Sequence, residues 1–361
     1  MKVAYSKNNE INYISLLKNI AIILVVVGHA GCIYAGKWSL PVVHGKSEKL
    51  RYITEYIYSF HMPLFVFISG YIYNYNKEKL GKNYSLYKLT LNKSKRLLLP
   101  YFVSGIFFMV PIQMIFNVFP DNNSFITRAI NEIILAKRPT HLWYLLMLFS
   151  LFILFKIIEN TINKNNYIVN LLIFTLVYIA SYDITRMYGA YYITFSLKYL
   201  IFFYMGYILS RNIDKIKVTP IKIITYFVAH LALFNIKYFS LFNINLSPKY
   251  NKLFNILTIE AISILGIIFM FYFALYICKI DLVINKITNN KLYKLINECN
   301  FDIYLFHHPI MLSIIVLMKN VNISPKMLFV FLSITTLILS IMVSKLVTYG
   351  KHMLFKDRIR I

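Results

Sequence analysis

The residues best placed to do chemistry are ionisable groups set inside long apolar runs: His29, His61, Lys198, His230, Glu260, His307 and His308. A charge at the centre of a bilayer costs roughly 2.5–3.5 kcal/mol for Lys or Arg, so such groups face a bundle interior or a water-filled cavity. Lys18 and His29 are the most informative pair. They are eleven residues apart, about three helical turns, and so share one face of a helix. The rise between them is about 16 Å, roughly half the hydrocarbon thickness. With Lys18 at the cytoplasmic interface, His29 lies near mid-membrane. A neutral imidazole there can take a proton from a hydroxyl. A buried histidine bonded to a neighbouring helix fits the same spacing, and spacing does not choose between them.

Other groups follow in chain order. Phe60-His61-Met62-Pro63-Leu64 opens an apolar segment with Ser69-Gly70 inside it. Proline is tolerated in a first helical turn, and a small pair lets helices approach closely. His61 suits an interfacial cap or a site equally. Lys93-Ser94-Lys95-Arg96 closes the most basic loop. Lys93 and Arg96 share a face if the segment is helical. The cluster suits the phosphates of a nucleotide-bearing donor, or anionic lipid. His141-Leu142-Trp143-Tyr144 opens a further apolar run, where aromatics commonly mark the interface. Tyr304, His307 and His308 fall on one helical face, and Pro309 frees a backbone carbonyl. The two adjacent histidines place no third metal ligand, and no metal is expected. Glu260 and Lys198 either pair or line a pathway. His230 reads as structural.

The elements that must position these groups are membrane helices. The chain has 361 residues, of which 58% are hydrophobic and only 15% charged, against about 25% charged in a soluble domain. Lipid is therefore the solvent for much of the surface. The net charge of +25 does not indicate nucleic acid, because the basic residues sit between apolar runs rather than on one amphipathic face. Candidate spans of roughly 17–25 residues fall at 14–33, 57–73, 98–119, 141–158, 167–182, 191–209, 221–241, 256–278, 301–318 and 326–349. The expected fold is an all-α, polytopic integral membrane bundle of about ten transmembrane helices. Residues 74–97 alone carry seven Lys/Arg, which places that connection, and with it both termini, in the cytoplasm.

Cys32, Cys278 and Cys299 form no metal or disulfide pattern and read as free thiols. The apolar run Ile20–Val27 reads as a first anchor rather than a removed signal peptide. There is no internal repeat and no Pro/Gly/Ser linker. Residues 1–361 are expected to form a single membrane domain with no separate soluble one.

Singly these motifs are weak, but their order is not. The chain resembles membrane-bound acyltransferase family 3, the polytopic O-acetyltransferases of bacterial surface glycans, nearly end to end. Leu17-Lys18 through Gly28-His29 is similar to the family's basic-residue-x10-His signature. Phe60-His61-Met62-Pro63-Leu64-Phe65 with Ser69-Gly70-Tyr71, Lys93 to Pro100-Tyr101, His141-Leu142-Trp143-Tyr144, and Ile303-Tyr304 through His307-His308-Pro309 complete the set. His307 fits the family's His-x-Pro position. The departures are Ser15 where members often carry Asp, Lys18 in place of Arg, and Lys93-x-x-Arg96 in place of Arg-x-x-Arg; Lys lacks the bidentate fork. The Lys and FHMPLF variant looks closest to the fucose O-acetylase-like branch. Some relatives carry an added extracytoplasmic esterase-like domain; this chain ends just after its tenth expected span, so it is expected to act alone or with a separate partner.

The resemblance implies an O-acyltransferase in a bacterial plasma membrane. It would move an acyl group from acetyl-CoA or another acyl-CoA to a carbohydrate hydroxyl. His29, His61 and His307 would be catalytic, and Lys18, Lys93, Lys95 and Arg96 would hold the donor. Ser69, Trp143, Tyr304 and Glu260 are candidates for substrate contact. Implied partners are acyl-CoA, a carbohydrate acceptor, the bilayer and other polysaccharide-biosynthesis proteins. The main rival is a transporter or flippase of a glycan or lipid-linked sugar, because intramembrane His, Lys and Glu also suit a polar pathway. A membrane polymerase would need large outer loops with arginine clusters, and a purely structural subunit explains none of the ordered motifs.

Overall fold

The computed structural model describes residues 7–37, 45–119, 123–162, 166–187, 191–240 and 247–355. Among them all regular structure is helical. In chain order the main helices are α1 (Lys7–Ala30), α2 (Glu48–Tyr58), α3 (His61–Glu78), α4 (Leu86–Ile115), α5 (Trp143–Ile158), α6 (Tyr167–Met187), α7 (Tyr191–Arg211), α8 (Pro220–Tyr238), α9 (Pro248–Ile277), α10 (Asp281–Asn289), α11 (Lys291–Leu317) and α12 (Pro325–Phe355). Their starts follow local chemistry. Pro220 and Pro248 open α8 and α9, where a missing N–H costs nothing. The Ser85 hydroxyl accepts from the Lys88 N–H at 3.3 Å, and the Asn290 side chain accepts from the Leu292 N–H at 2.8 Å, each filling a donor the helix leaves open.

Among the described residues, seven helical stretches are long and apolar enough to cross a membrane: Asn12–Ala30, Leu86–Ile115, Thr140–Ile158, Tyr167–Ile184, Pro248–Ile277, Lys291–Leu317 and Pro325–Gly350. The spans expected at 57–73, 191–209 and 221–241 fall on helices among the described residues, the last of them on Pro220–Tyr238, but do not reach that standard. The first of them is also interrupted, since α2 ends at Tyr58 and α3 begins at His61. The tails at 1–6 and 356–361, on which the expected orientation of the termini bears, lie outside the described residues.

Two expectations about connections are corrected. The polar connections at 34–56, 74–97 and 279–300 contain helix among the described residues: 48–56 in the first, 74–78 and 86–97 in the second, 281–289 and 291–300 in the third. In α2 the buried residues Leu50, Thr54 and Ile57 recur at helical spacing, which is amphipathic rather than apolar and so escapes a search for spans. The basic stretch is likewise part of α4 and not a loop. It coincides with a π-helical turn, Ser94–Leu98. A wider turn inserts an extra residue, so the α-helical i, i+3 argument for Lys93 and Arg96 does not apply.

The chain forms two compact units. The first comprises Met1–Leu17, Ser59–Tyr101 and Leu142–Ile284. Its centre is the contact of α3 with α7. A Cβ on Gly70 would meet the Phe203 carbonyl oxygen at 2.0 Å, and one on Gly206 would meet that of Phe67 at 2.0 Å. Only glycines let these backbones touch, so the close approach expected of Ser69-Gly70 is realised. At one end of α3 and α5 the buried Glu159 carboxylate accepts from Lys77 (2.5 Å), Tyr73 (3.0 Å) and Lys156 (3.1 Å). The second unit comprises Lys18–Tyr58, Phe102–His141 and Asn285–Ile361. Here Asn300 of α11 donates to the Lys18 carbonyl at 3.1 Å and to the Asn19 side-chain oxygen at 3.2 Å, which fixes the register of α11 against α1.

Candidate active site

The second unit gathers four histidines. His29 stands in the last turn of α1, His307 and His308 in α11, and His141 in a 3₁₀ turn, Thr140–Leu142, just before α5. His29 and His307 stack with ring centroids 4.9 Å apart, and His141 and His308 stack at 4.7 Å. His307, His308 and His141 are buried, while His29 is only half-buried. The edge of Tyr58 from α2 lies against His29 at 5.9 Å between centroids, and its hydroxyl is 2.7 Å from Cys32 Sγ.

The hydrogen bonds assign the protons. His307 Nδ1 lies 2.9 Å from the Ile303 carbonyl and 2.8 Å from that of Tyr304. Carbonyl oxygens only accept, so Nδ1 carries the hydrogen and the Nε2 of a neutral ring is left as an acceptor. His29 Nδ1 is 2.8 Å from that Nε2 and must donate to it. The lone pair of a neutral His29 is therefore on Nε2. The α11 backbone, acting through His307, thus fixes the tautomer of His29.

Pro309 sets the second pair. It has no N–H, so the carbonyl four residues earlier, at Leu305, loses its helical donor. His141 Nε2–H supplies one at 3.0 Å. In return the Tyr304 hydroxyl donates to the His141 carbonyl at 2.6 Å. The turn itself is strained, with Thr140 at φ +45°, a conformation uncommon for a non-glycine residue. Thr140 Oγ1 sits 3.2 Å from His141 Nδ1 and 2.9 Å from Met109 Sδ. Met109 closes a second π-helical turn, Gly105–Met109. A Cβ on Gly105 would meet Ile133 at 2.8 Å, so that turn packs directly on a third one, Ala129–Ile134.

Of the residues singled out in the sequence, His29, His307 and Tyr304 come together here, and Lys18 lies on the same helix as His29. His141, His308 and Tyr58 join them. His141, at the opening of an apolar run, and His308, inside another, both stand out in the sequence, but nothing there marks Tyr58. The freed carbonyl at Leu305 was legible from Pro309, but not the side chain that fills it. The remaining candidates belong to the first unit. His61 is buried in the first turn of α3. Ser69 Oγ donates to the Phe65 carbonyl at 3.0 Å. Trp143 packs on Phe195 and Tyr199, with centroids at 5.3 and 6.0 Å. Lys93 turns onto the ring of Phe152, with Nζ 3.3 Å from its centroid, while Lys95 and Arg96 are exposed. Glu260 accepts from Thr175. His230 Nδ1 lies 3.0 Å from the Ile262 carbonyl, as a structural histidine would.

No curated protein and no solved structure matches the chain. A family model described as an acyltransferase domain matches residues 11–345. That range takes in the histidine cluster and every helix contributing to it. The apolar helices make the chain a multi-pass membrane protein, and it belongs to membrane acyltransferase family 3.

Proposed function

We propose that the chain is an O-acyltransferase that moves an acyl group from acyl-CoA, acetyl-CoA first among the candidates, to a hydroxyl of a cell-surface or lipid-linked carbohydrate. The observation that carries this reading is the pairing of His29 with His307, which leaves a basic nitrogen on the one half-buried histidine of the cluster. His29 Nε2 takes the proton of the acceptor hydroxyl as its oxygen attacks the thioester carbonyl. The C–S bond breaks, and the departing CoA thiolate recovers the proton from the His29 imidazolium. His307 accepts from His29 Nδ1–H throughout and positions the ring. His61 is proposed to orient acceptor or thioester. Lys95 and Arg96, exposed, suit donor phosphates better than Lys93, whose ammonium is committed to Phe152; Lys18 adds a further positive charge. We place residues 1–361 as one catalytic domain in a bacterial plasma membrane, with both ends cytoplasmic and three further crossings by α3, α7 and α8. The fucose O-acetylase-like branch is the proposed subfamily.

The test is transfer from radiolabelled acetyl-CoA by protein in nanodiscs with crude cell-envelope glycan present. Wild type is expected to release CoA and label glycan, and His29→Ala to lose about 10²–10⁴-fold while its melting temperature holds. Wild type that neither binds nor turns over any acyl-CoA tested would overturn the reading in favour of a glycan transporter.

A further inference from the structure

The bond from His29 to His307 fixes one ring nitrogen, and the imidazole plane can still turn about that line. Two further rings lie across the plane. His308 stands with its centroid 5.6 Å away at an interplanar angle of 81°, and Tyr58 at 5.9 Å and 67°. His308 comes from α11, as His307 does. Tyr58 is the last residue of α2, a helix that the acyl-transfer chemistry does not otherwise use.

Within the second unit, the contacts of α2 with the end of α1 converge on that tyrosine. His29 stands between Gly28 and Ala30, and Gly31-Cys32 follow. A Cβ on Gly31 would meet Thr54 Oγ1 at 1.8 Å, and one on Gly28 would meet Ile57 Cγ2 at 3.0 Å and the Tyr58 ring at 3.3 Å. The two glycines let α2 lie directly on the turn that carries His29. Cys32 then holds the far end of the tyrosine. Its Sγ is 3.5 Å from the Gly28 carbonyl oxygen and 2.7 Å from the Tyr58 hydroxyl. A carbonyl only accepts, so the single thiol hydrogen goes to Gly28, and the Tyr58 O–H donates to sulfur. Lys37 Nζ stands 4.7 Å from the Tyr58 ring centroid, a cation–π distance, and pairs with Glu55 of α2 at 3.0 Å. The hydroxyl and the ring of one side chain are thus restrained separately. Docking of α2 alone does not require this, since Leu50, Thr54 and Ile57 already bury its inner face.

We infer that Tyr58 is a positioning residue for His29, and that Cys32 and Lys37 serve the site by holding Tyr58. The reaction that His29 performs rests on the acyl-transfer reading proposed above; the restraint on its ring is tested with neither donor nor acceptor present. Full-length protein in nanodiscs is treated with diethylpyrocarbonate, which acylates a neutral imidazole nitrogen, and the rate at His29 is read by peptide mass spectrometry. Tyr58→Phe keeps the ring and removes the donor, and Cys32→Ala removes the acceptor. Each is expected to raise the rate by up to about tenfold, the scale of one hydrogen bond. The double variant should show no larger change than either single one, because both remove the same bond. Cys32→Ser, whose hydroxyl accepts the same hydrogen, should label as wild type does. Lys37→Met, at a part-exposed residue, should also raise the rate, and it carries the decision if a Cys32 variant fails to fold. In the transfer assay these variants should lower kcat by similar factors, and Tyr58→Leu by about 10²-fold, with the KM for acyl-CoA and the melting temperature little changed. Unaltered His29 labelling in Tyr58→Phe, Cys32→Ala and Lys37→Met overturns the inference. A double variant whose effect is the product of the single ones does so too, because the hydroxyl would then act elsewhere than on Cys32. Altered labelling in a protein that turns over no acyl-CoA would refute the transferase reading alone, and turnover with unaltered labelling would refute the positioning role alone.

Discussion

His29 and His307 act as a pair because of where their hydrogens must sit. A histidine in the last turn of α1 has two equivalent ways to be neutral. The Ile303 and Tyr304 carbonyls remove one of them for His307, and His307 removes one of them for His29. On this view His307 is a positioning residue. His307→Ala is expected to lower kcat by about 10²-fold with the KM for acyl-CoA little changed, because His29 then loses its fixed tautomer and orientation. His307→Gln, whose amide oxygen can accept from His29 Nδ1–H, should recover part of that loss. Steady-state kinetics on the two variants decide it: equal, unrescued losses would mean that residue 307 acts only by filling space. The identities of the histidines were readable in the sequence. Their proton assignment was not, because it depends on backbone oxygens of another helix.

Among the elements, α11 carries the most conflict between local stability and function. A proline inside a helix costs about 3 kcal/mol relative to alanine, and Pro309 lies in the middle of a buried helix. Its consequence is the open Leu305 carbonyl, which His141 fills. Pro309→Ala restores a backbone donor that competes with His141 for that oxygen. The variant is therefore expected to melt no lower than wild type, and to lose about tenfold in kcat as His141 is released, taking one hydrogen bond of about 0.5–1.5 kcal/mol as the guide. Thermal melts and transfer rates measured on one preparation check both halves. The π-helical turns make the same point from the other side. Helical periodicity put Lys93 and Arg96 on one face, and the turn at Ser94–Leu98 turned Lys93 onto Phe152 instead.

For the whole molecule, the Glu159 cluster ties α3 to α5 at the end of a membrane span. Burial alone would raise the Glu159 carboxyl, but the hydrogen bonds from Lys77, Lys156 and Tyr73 outweigh it and hold the group below the usual carboxylate range. A depressed carboxyl contributes stability above its unfolded value of about 4.3, and that contribution is lost as pH falls through the lower folded value. Wild type in detergent should therefore melt progressively lower as pH drops from neutral into this acidic range. Glu159→Gln should lack this component of the acid sensitivity. At neutral pH it should be less stable by about 3–5 kcal/mol, the loss on breaking a buried pair, since Lys77 and Lys156 stay mostly buried with their carboxylate gone. Melting curves of both proteins across pH decide it, and parallel curves would assign the acid sensitivity elsewhere.

The sequence by itself determined the solvent and the class of element. So few charges among so many apolar residues leave only helices in lipid, and the ordered motifs from Lys18 to Pro309 pointed to the family before any coordinate was known. It also located the close helix approach at Gly70, because a missing Cβ is a local fact. Tertiary structure decided the rest. Amphipathic α2 and α10 escaped a search tuned to apolar length. The union of His29, His307, His308, His141 and Tyr58 depends on residues far apart in the chain. Spacing along one helix states which side chains share a face, but which oxygen or ring that face meets is set only when the helices pack.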